Sequence, residues 1–264
     1  MDPGLPREVA TAIGDYLRAA DDSVPGVVEA LYVTGSVALG DYHPAISDVD
    51  LVAVSRDAPS RSTLEALAAL HATIGQGVDV VYATRDDVRR DPAALSLPSS
   101  VGGEFRPRGA FDANPVVWRV LATRAITVRG TPLTREDVWF DADVLRRWNV
   151  ANLDGYWAEW VEWARGRVGT EARVRSEYGL QWLVLGVPRL HYTIATLDVI
   201  SKTASGRYAI EVSPSPWHVV LDAAIALRAD TGAPLPAPPD VLWRTAIDLS
   251  AWLIDDAHRL VTDG

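Results

Sequence analysis

Cysteine is absent from this 264-residue chain, methionine occurs once and phenylalanine three times. A chain without cysteine has no disulfide scaffold, thiolate metal centre or cysteine nucleophile, and that usage fits a reducing cytoplasm. No apolar stretch approaches the roughly 20 residues that a membrane span needs, since the longest runs, Trp182–Val187 and Val219–Leu227, contain Gly or Asp. The opening MDPGLPREVATAIGDYL has neither a basic n-region nor an apolar h-region, so no secretory signal and no membrane partner are expected. The five histidines (His43, His71, His191, His218 and His258) show no ligand-pair spacing, which argues against a histidine zinc site. Lysine is nearly missing as well: Lys202 stands alone beside 24 arginines.

What is present describes a folded, soluble chain. Hydrophobic residues make up 48% and charged residues 23%, the balance of a globular protein of one large or two ordinary domains. The net charge of −10 argues against a general nucleic-acid binder, because neutralising phosphates requires a basic stripe. It suits a small cationic or polar partner better. A monomer is expected.

Arg7–Ala20 reads as an opening helix, with Val9, Ile13, Tyr16 and Leu17 at helical spacing. The apolar run VVEALYVTGS ends abruptly at Gly35-Ser36, and Ile46–Ser55 alternates like a strand. A helix carrying Leu64, Leu67, Leu70 and Ile74 follows, capped by Ser62 or Thr63. Val78–Ala83 is a second β-branched strand, and the Pro- and Gly-rich Pro92–Pro115 reads as an irregular excursion or lid. A helix from Pro115 and a strand Ala125–Arg129 precede the punctuation Gly130-Thr131-Pro132. Beyond residue 138, where nine of the ten tryptophans lie, helical patterns run through Leu145–Arg167, Leu180–Ile200, Trp217–Arg228 and Val241–Val261. The expected fold is therefore an α/β domain over residues 1–141, a small mixed sheet with flanking helices, followed by an all-α helical bundle over residues 142–264.

The chemistry concentrates between Gly35 and Asp79. Eleven residues after Ser36 stands Ser47-Asp48-Val49-Asp50, and Asp79 lies in the following strand. Two acids two residues apart on a strand point to one face, about 6–7 Å apart. Like charges among Val and Leu repel each other unless a divalent cation sits between them. Magnesium takes hard oxygen ligands and commonly borrows some from a nucleotide's phosphates. A Gly-Ser turn opening a helix offers backbone N–H groups and a hydroxyl to those phosphates. A lone DxD is most often an exposed strand edge; the ordered set strand–GS–helix–strand(DxD)–helix–strand(D) points to a nucleotide site. The Walker loop fails, because Gly40 is followed by Asp41, and no GxGxxG occurs.

TGSVALGDYHPAISDVDLVAVS resembles the signature of the nucleotidyltransferase superfamily with a polymerase-β-like core. From about Leu17 to Arg228 the chain is similar to the streptomycin/spectinomycin adenylyltransferases. That resemblance implies a magnesium-dependent transfer of AMP from ATP to a hydroxyl of an aminoglycoside-type antibiotic, with release of pyrophosphate. It implies that Gly35, Ser36, Ser47, Asp48 and Asp50 hold the triphosphate and magnesium. Asp79 takes the position of the family's general base, a glutamate in the streptomycin enzymes, or completes a metal triad. Gly103-Glu104-Phe105 resembles a Gly-Glu-Trp stretch whose aromatic packs on the antibiotic. Arg189 and Lys202 match the helix that carries an Arg and a Lys toward the triphosphate, and both can serve one triphosphate only if the helix ends or bends between them. The Ser201–Gly206 stretch is expected to be that terminus. Where the family presents an Asp to the antibiotic this chain has Gly179, with Glu177 and Gln181 nearby, so Glu177 and Trp182 become the substrate-binding candidates. Modification of a protein side chain, a tRNA end or another small molecule, and nucleotide binding without turnover, are the alternatives, and the acidic charge speaks against tRNA.

Overall fold

Helix α1 (Arg7–Ser23) buries Val9, Ile13, Tyr16 and Ala20, one face of a 3.6-residue period, and leaves its acidic residues outside. In the computed structural model, which describes residues 4–109, 113–171 and 176–262, the chain divides into two compact units, Met1–Asp141 and Ala142–Gly264. The first contains strands β1 (Ala30–Val33), β2 (Val49–Ser55), β3 (Val78–Thr84), β4 (Leu97–Val101), β5 (Glu104–Gly109) and β6 (Ile126–Arg129). They form one mixed sheet in the order β5-β4-β3-β2-β1-β6. β2 and β3 run parallel, and the other neighbours pair antiparallel.

Alternation sorts the side chains onto two faces. Leu31, Val33, Leu51, Ala53, Val78, Val80 and Tyr82 pack with α1 and with α3 (Arg61–Ile74). Tyr32, Val52, Val54, Val81 and Ala83 pack with Val88 of the short helix α4 (Arg85–Val88) and with Trp118 and Leu121 of α5 (Pro115–Thr123). Side-chain caps start α3 and α5. Ser60 Oγ accepts from the Thr63 N–H, so the cap of α3 lies two or three residues before the expected Ser62 or Thr63. Asn114 accepts from the Val116 and Val117 N–H groups, and Pro115 follows at the first helical position.

Two further expectations in this unit are corrected. β2 begins at Val49 rather than Ile46, because residues 44–46 turn, with the Ile46 and Ser47 N–H groups both donating to the His43 carbonyl. The stretch expected to be an irregular lid is largely a hairpin, β4–β5, with Val101 opposite Glu104. Its prolines fit this: Pro98 lies where the register slips between Leu97 and Ser99, and Pro107 is on the edge strand. Ala110–Asp112 of the same stretch lie outside the described residues.

The second unit is helical: α6 (Ala142–Asn152), a π-helical turn (Leu153–Trp157), α7 (Ala158–Arg165), α8 (Glu177–Thr196), α9 (Lys202–Val212), α10 (His218–Arg228) and α11 (Pro239–Thr262). Leu183, Val184, Leu185, Trp243, Leu249 and Leu253 are its fully buried centre. Gly186 lets the Trp157 ring lie against α8, where any Cβ would overlap the indole. α9 answers to no apolar period: its buried residues are Ser205, Gly206 and Ala209. A Cβ at Gly206 would press on Leu185 and Ile225, so small side chains bring this helix close to α8 and α10. Ser201–Gly206, expected to end a helix, therefore begins one, with Ser201 Oγ accepting from the Ala204 N–H. Among the described residues no helix is long and apolar enough to cross a membrane.

Candidate active site

The site is built where β1 ends and β2 and β3 begin. Thr34, just past β1, donates its N–H to the Asp50 carbonyl at 2.8 Å, which brings the Gly35-Ser36 turn onto β2. Gly35 has φ +54, and a Cβ there would overlap the Asp50 carboxylate. Only glycine allows the backbone to lie against that acid. Helix α2 (Gly35–Ala38) starts at this contact. The Ser36 hydroxyl oxygen is buried and has no hydrogen-bond partner, an arrangement that costs free energy unless a ligand oxygen completes it.

Asp50 and Asp79 are register partners across β2 and β3. Val49 and Leu51 point to the α1/α3 face, and so do Val78 and Val80. Both acids therefore point to the opposite face, one interstrand spacing of about 4.8 Å apart. Asp48 is exposed two residues before Asp50. Burial pushes the Asp79 carboxyl above the usual carboxylate range; the Gly102 N–H opposes this, and the charge of Asp48 adds to it. Ser47 closes the loop that presents Asp48, its Oγ accepting from the His43 N–H at 3.1 Å. His43 in turn meets Asp41 through Nε2 at 3.2 Å.

The donor set fits magnesium and a triphosphate: hard carboxylate oxygens, a glycine cradle and an orphaned hydroxyl. Among the described residues no group of three His, Cys, Asp or Glu side chains is gathered as a complete metal site. An open cleft of about 580 Å³ lined by Glu29, Arg56 and Arg85 lies beyond the other end of β2 and shares no residue with this set.

Not every residue singled out in the sequence joins it. Phe105 pairs with Ser100, which pairs with Val80, so Phe105 belongs to the α1/α3 face. Its ring stacks on the buried His71 with centroids 5.7 Å apart and planes 11° from parallel. The structure does not bring Phe105 to the carboxylates. In the second unit α8 ends at Thr196, Leu197 turning with φ +59, and Lys202 opens α9. Arg189 Nε donates to the Ile200 carbonyl at 3.2 Å, so the two cations flank one helix–helix turn. Glu177 is exposed in the first turn of α8. Trp182, half-buried, packs on Trp157 at 4.4 Å and on the half-exposed Tyr156 at 5.7 Å.

One contributor escaped the sequence reading. The Gly102 N–H donates to Asp79 Oδ1 at 2.8 Å. A backbone amide carries no side-chain signal, although Val101-Gly102-Gly103-Glu104 has the spacing of a two-residue hairpin turn.

Residues 15–98 match the family model of the nucleotidyltransferase domain, a span that includes Gly35, Ser36, Ser47, Asp48, Asp50 and Asp79. No curated protein sequence matches the chain significantly. Among the solved structures that match is the spectinomycin adenyltransferase AAD(9) from Enterococcus faecialis, determined with ATP and spectinomycin. It is similar at a TM-score of 0.58 and 14% identity, over 93% of this chain and 98% of that one. At that identity the likeness is one of fold.

Proposed function

We propose that this chain, which carries a nucleotidyltransferase domain over residues 15–98, transfers AMP from ATP to a hydroxyl of an aminoglycoside-type or spectinomycin-like acceptor. The observation that carries the reading is the in-register pair Asp50 and Asp79, backed by a glycine pressed on Asp50 and the orphaned Ser36 hydroxyl. The known ligands of the similarly folded AAD(9), ATP and spectinomycin, support the choice of substrates.

Asp48 and Asp50 would hold magnesium, which when bound neutralises charge on the triphosphate. Gly35 and Ser36 place N–H groups and a hydroxyl at the outer phosphates, and Ser47 fixes the loop that presents Asp48. Asp79 accepts the proton of the attacking hydroxyl while the new O–P bond forms at the α-phosphorus. The bond from that phosphorus to the bridging oxygen breaks, and pyrophosphate leaves with the electron pair. Arg189 and Lys202 add positive charge for the nucleotide, Lys202 as the compact point charge suited to phosphate. Glu177 offers a carboxylate to a cationic acceptor, and Trp182 offers an apolar ring. The protein works as a monomer in the cytoplasm, and modification of an antibiotic there amounts to resistance.

Labelled ATP, magnesium and a panel of aminoglycosides with spectinomycin test the reading. Pyrophosphate release that depends on one antibiotic is expected. Label on the protein alone would overturn it in favour of a protein-modifying enzyme. Asp79→Ala should lower turnover roughly 10²–10⁴-fold with ATP binding preserved, and loss of magnesium-dependent ATP binding would make Asp79 a metal ligand instead. Lys202→Ala should weaken ATP binding by about 1.5–3 kcal/mol, the worth of one charged hydrogen bond.

A further inference from the structure

We infer that the glycine turn between β4 and β5 is a positioning element for Asp79, fixing one carboxylate oxygen so that the other faces the reaction. The inference rests on the reading of Asp79 as the base. Its starting point is the 2.8 Å hydrogen bond from the Gly102 N–H to Asp79 Oδ1.

The turn is built for that bond. Val101 pairs with Glu104, which leaves Gly102 and Gly103 as the two turn residues, with φ +57 and +82. Positive φ at both central residues is the requirement of a type I′ hairpin turn, whose twist matches that of the strands it joins. The two glycines have different reasons to be there. A Cβ at Gly102 would meet nothing within 4 Å, so that position needs glycine for its backbone angle. A Cβ at Gly103 would lie 3.1 Å from the Gly75 carbonyl carbon and 3.2 Å from its oxygen. Gly75 itself has φ +75 and ends α3, two residues before β3's approach at Gly77. The hairpin tip thus rests backbone against backbone on the turn that leads into the strand of Asp79. With Val80 opposite Ser100 and Val81 opposite Ser99, that contact leaves the tip little freedom to move away from the acid.

Holding Oδ1 removes the rotation about the carboxyl carbon that would otherwise spread the proton acceptor over several orientations. Oδ2 is then the oxygen that takes the hydroxyl proton. Catalytic groups held within a fraction of an ångström react far faster than loosely held ones. The turn should therefore affect turnover more than nucleotide binding.

Gly103→Ala tests this, because the neighbouring backbone cannot give way without moving the turn. Gly26→Ala is the control for strain alone: Gly26 has φ +77 and open space around it. We expect Gly103→Ala to lower kcat roughly 10-fold or more with the KM for ATP within about twofold of wild type, and Gly26→Ala to leave both unchanged. In an Asp79→Ala background Gly103→Ala should cause no further loss, an outcome that general disruption of the fold would not give. A second readout is independent of turnover: the Gly102 amide proton should move upfield in the ¹⁵N–¹H spectrum of Asp79→Ala. Equal slowing of the Asp79→Ala enzyme by Gly103→Ala, or an unmoved Gly102 resonance, would overturn the inference. Wild-type turnover in Asp79→Ala, with the Gly102 resonance moved, would show instead that the base reading has failed, and the inference with it.

Discussion

Asp50 and Asp79 stand side by side on adjacent parallel strands, partners in register, with Asp48 two residues ahead of Asp50. A folded chain gains nothing in stability from such an arrangement, since neighbouring carboxylates repel and a half-buried one loses hydration. A divalent cation reverses the sign of the interaction. Asp48→Asn and Asp50→Asn should each abolish turnover, because an amide oxygen lacks the charge that holds the ion. More than about a tenth of the wild-type rate in steady-state assays, less than roughly 1.4 kcal/mol of lost barrier reduction, would remove the metal assignment.

Gly35 has no room for a side chain. Alanine there meets the Asp50 carboxylate and must also adopt φ +54, so the turn or the acid has to move. Gly35→Ala should cost about 1–3 kcal/mol of stability for the strained backbone and lose ATP binding. Calorimetric titration of ATP with magnesium into the folded variant is the check, and wild-type affinity would separate Gly35 from the nucleotide site.

The other face of the sheet titrates. His71 is fully buried, its Nε2 2.8 Å from the Tyr82 hydroxyl, and the Tyr16 hydroxyl donates to Tyr82 at 3.0 Å. Burial pushes the imidazole down from 6.5 to about 4. Its unfolded form binds the proton first as pH falls, so this contribution is whole above about pH 6.5, declines below it, and is lost by about pH 4. At roughly 1.4 kcal/mol per pH unit the total is about 3 kcal/mol. Urea unfolding from pH 7 to pH 4.5 should show a steeper loss of stability for wild type than for His71→Gln. Parallel curves would exclude His71 as the source.

Much of this was legible in the sequence, and the exceptions share a cause. The strands around Asp48, Asp50 and Asp79 announce themselves through β-branched alternation, and the Gly35-Ser36 turn through an apolar run that stops short. α1, α8 and α11 carry apolar faces at helical spacing. What escaped depends on contacts between elements that are distant in sequence. α9 is held by smallness, Ser205, Gly206 and Ala209, and smallness leaves no apolar period to detect. The β4–β5 hairpin looked irregular because Pro98 and Pro107 weigh against a strand until one knows that a register slip and a sheet edge accommodate them. Phe105 followed a tripeptide likeness, whereas strand parity places it beside His71. The hydrogen bond from Gly102 to Asp79 spans 23 residues and involves no side chain at its donor.

The helical unit carries its own buried chain of polar groups, and its direction follows from valence. His191 is 1% exposed, with Nε2 3.0 Å from Asp256 Oδ2 and Nδ1 2.8 Å from the Tyr208 hydroxyl. An ionised carboxylate only accepts, so Nε2 carries the hydrogen, and Nδ1 must then accept from Tyr208. Burial holds the imidazole below its ordinary pKa, opposed by Asp256, which keeps the ring neutral near pH 7. Arg259 braces the far end, its Nη2 2.7 Å from Asp256 Oδ1. The chain ties α8, α9 and α11 together, and α9 has few apolar residues with which to hold itself. Tyr208→Phe keeps the ring and strands the buried Nδ1 without a donor, at an expected cost of about 1–3 kcal/mol. With His191→Leu already present, the same change should cost less than about 0.5 kcal/mol, because no acceptor is left to strand. Urea unfolding followed by tryptophan fluorescence reads this unit well, since eight of the ten tryptophans lie in residues 142–264. Equal losses in the two backgrounds would mean that Tyr208 stabilises α9 through its ring rather than through His191.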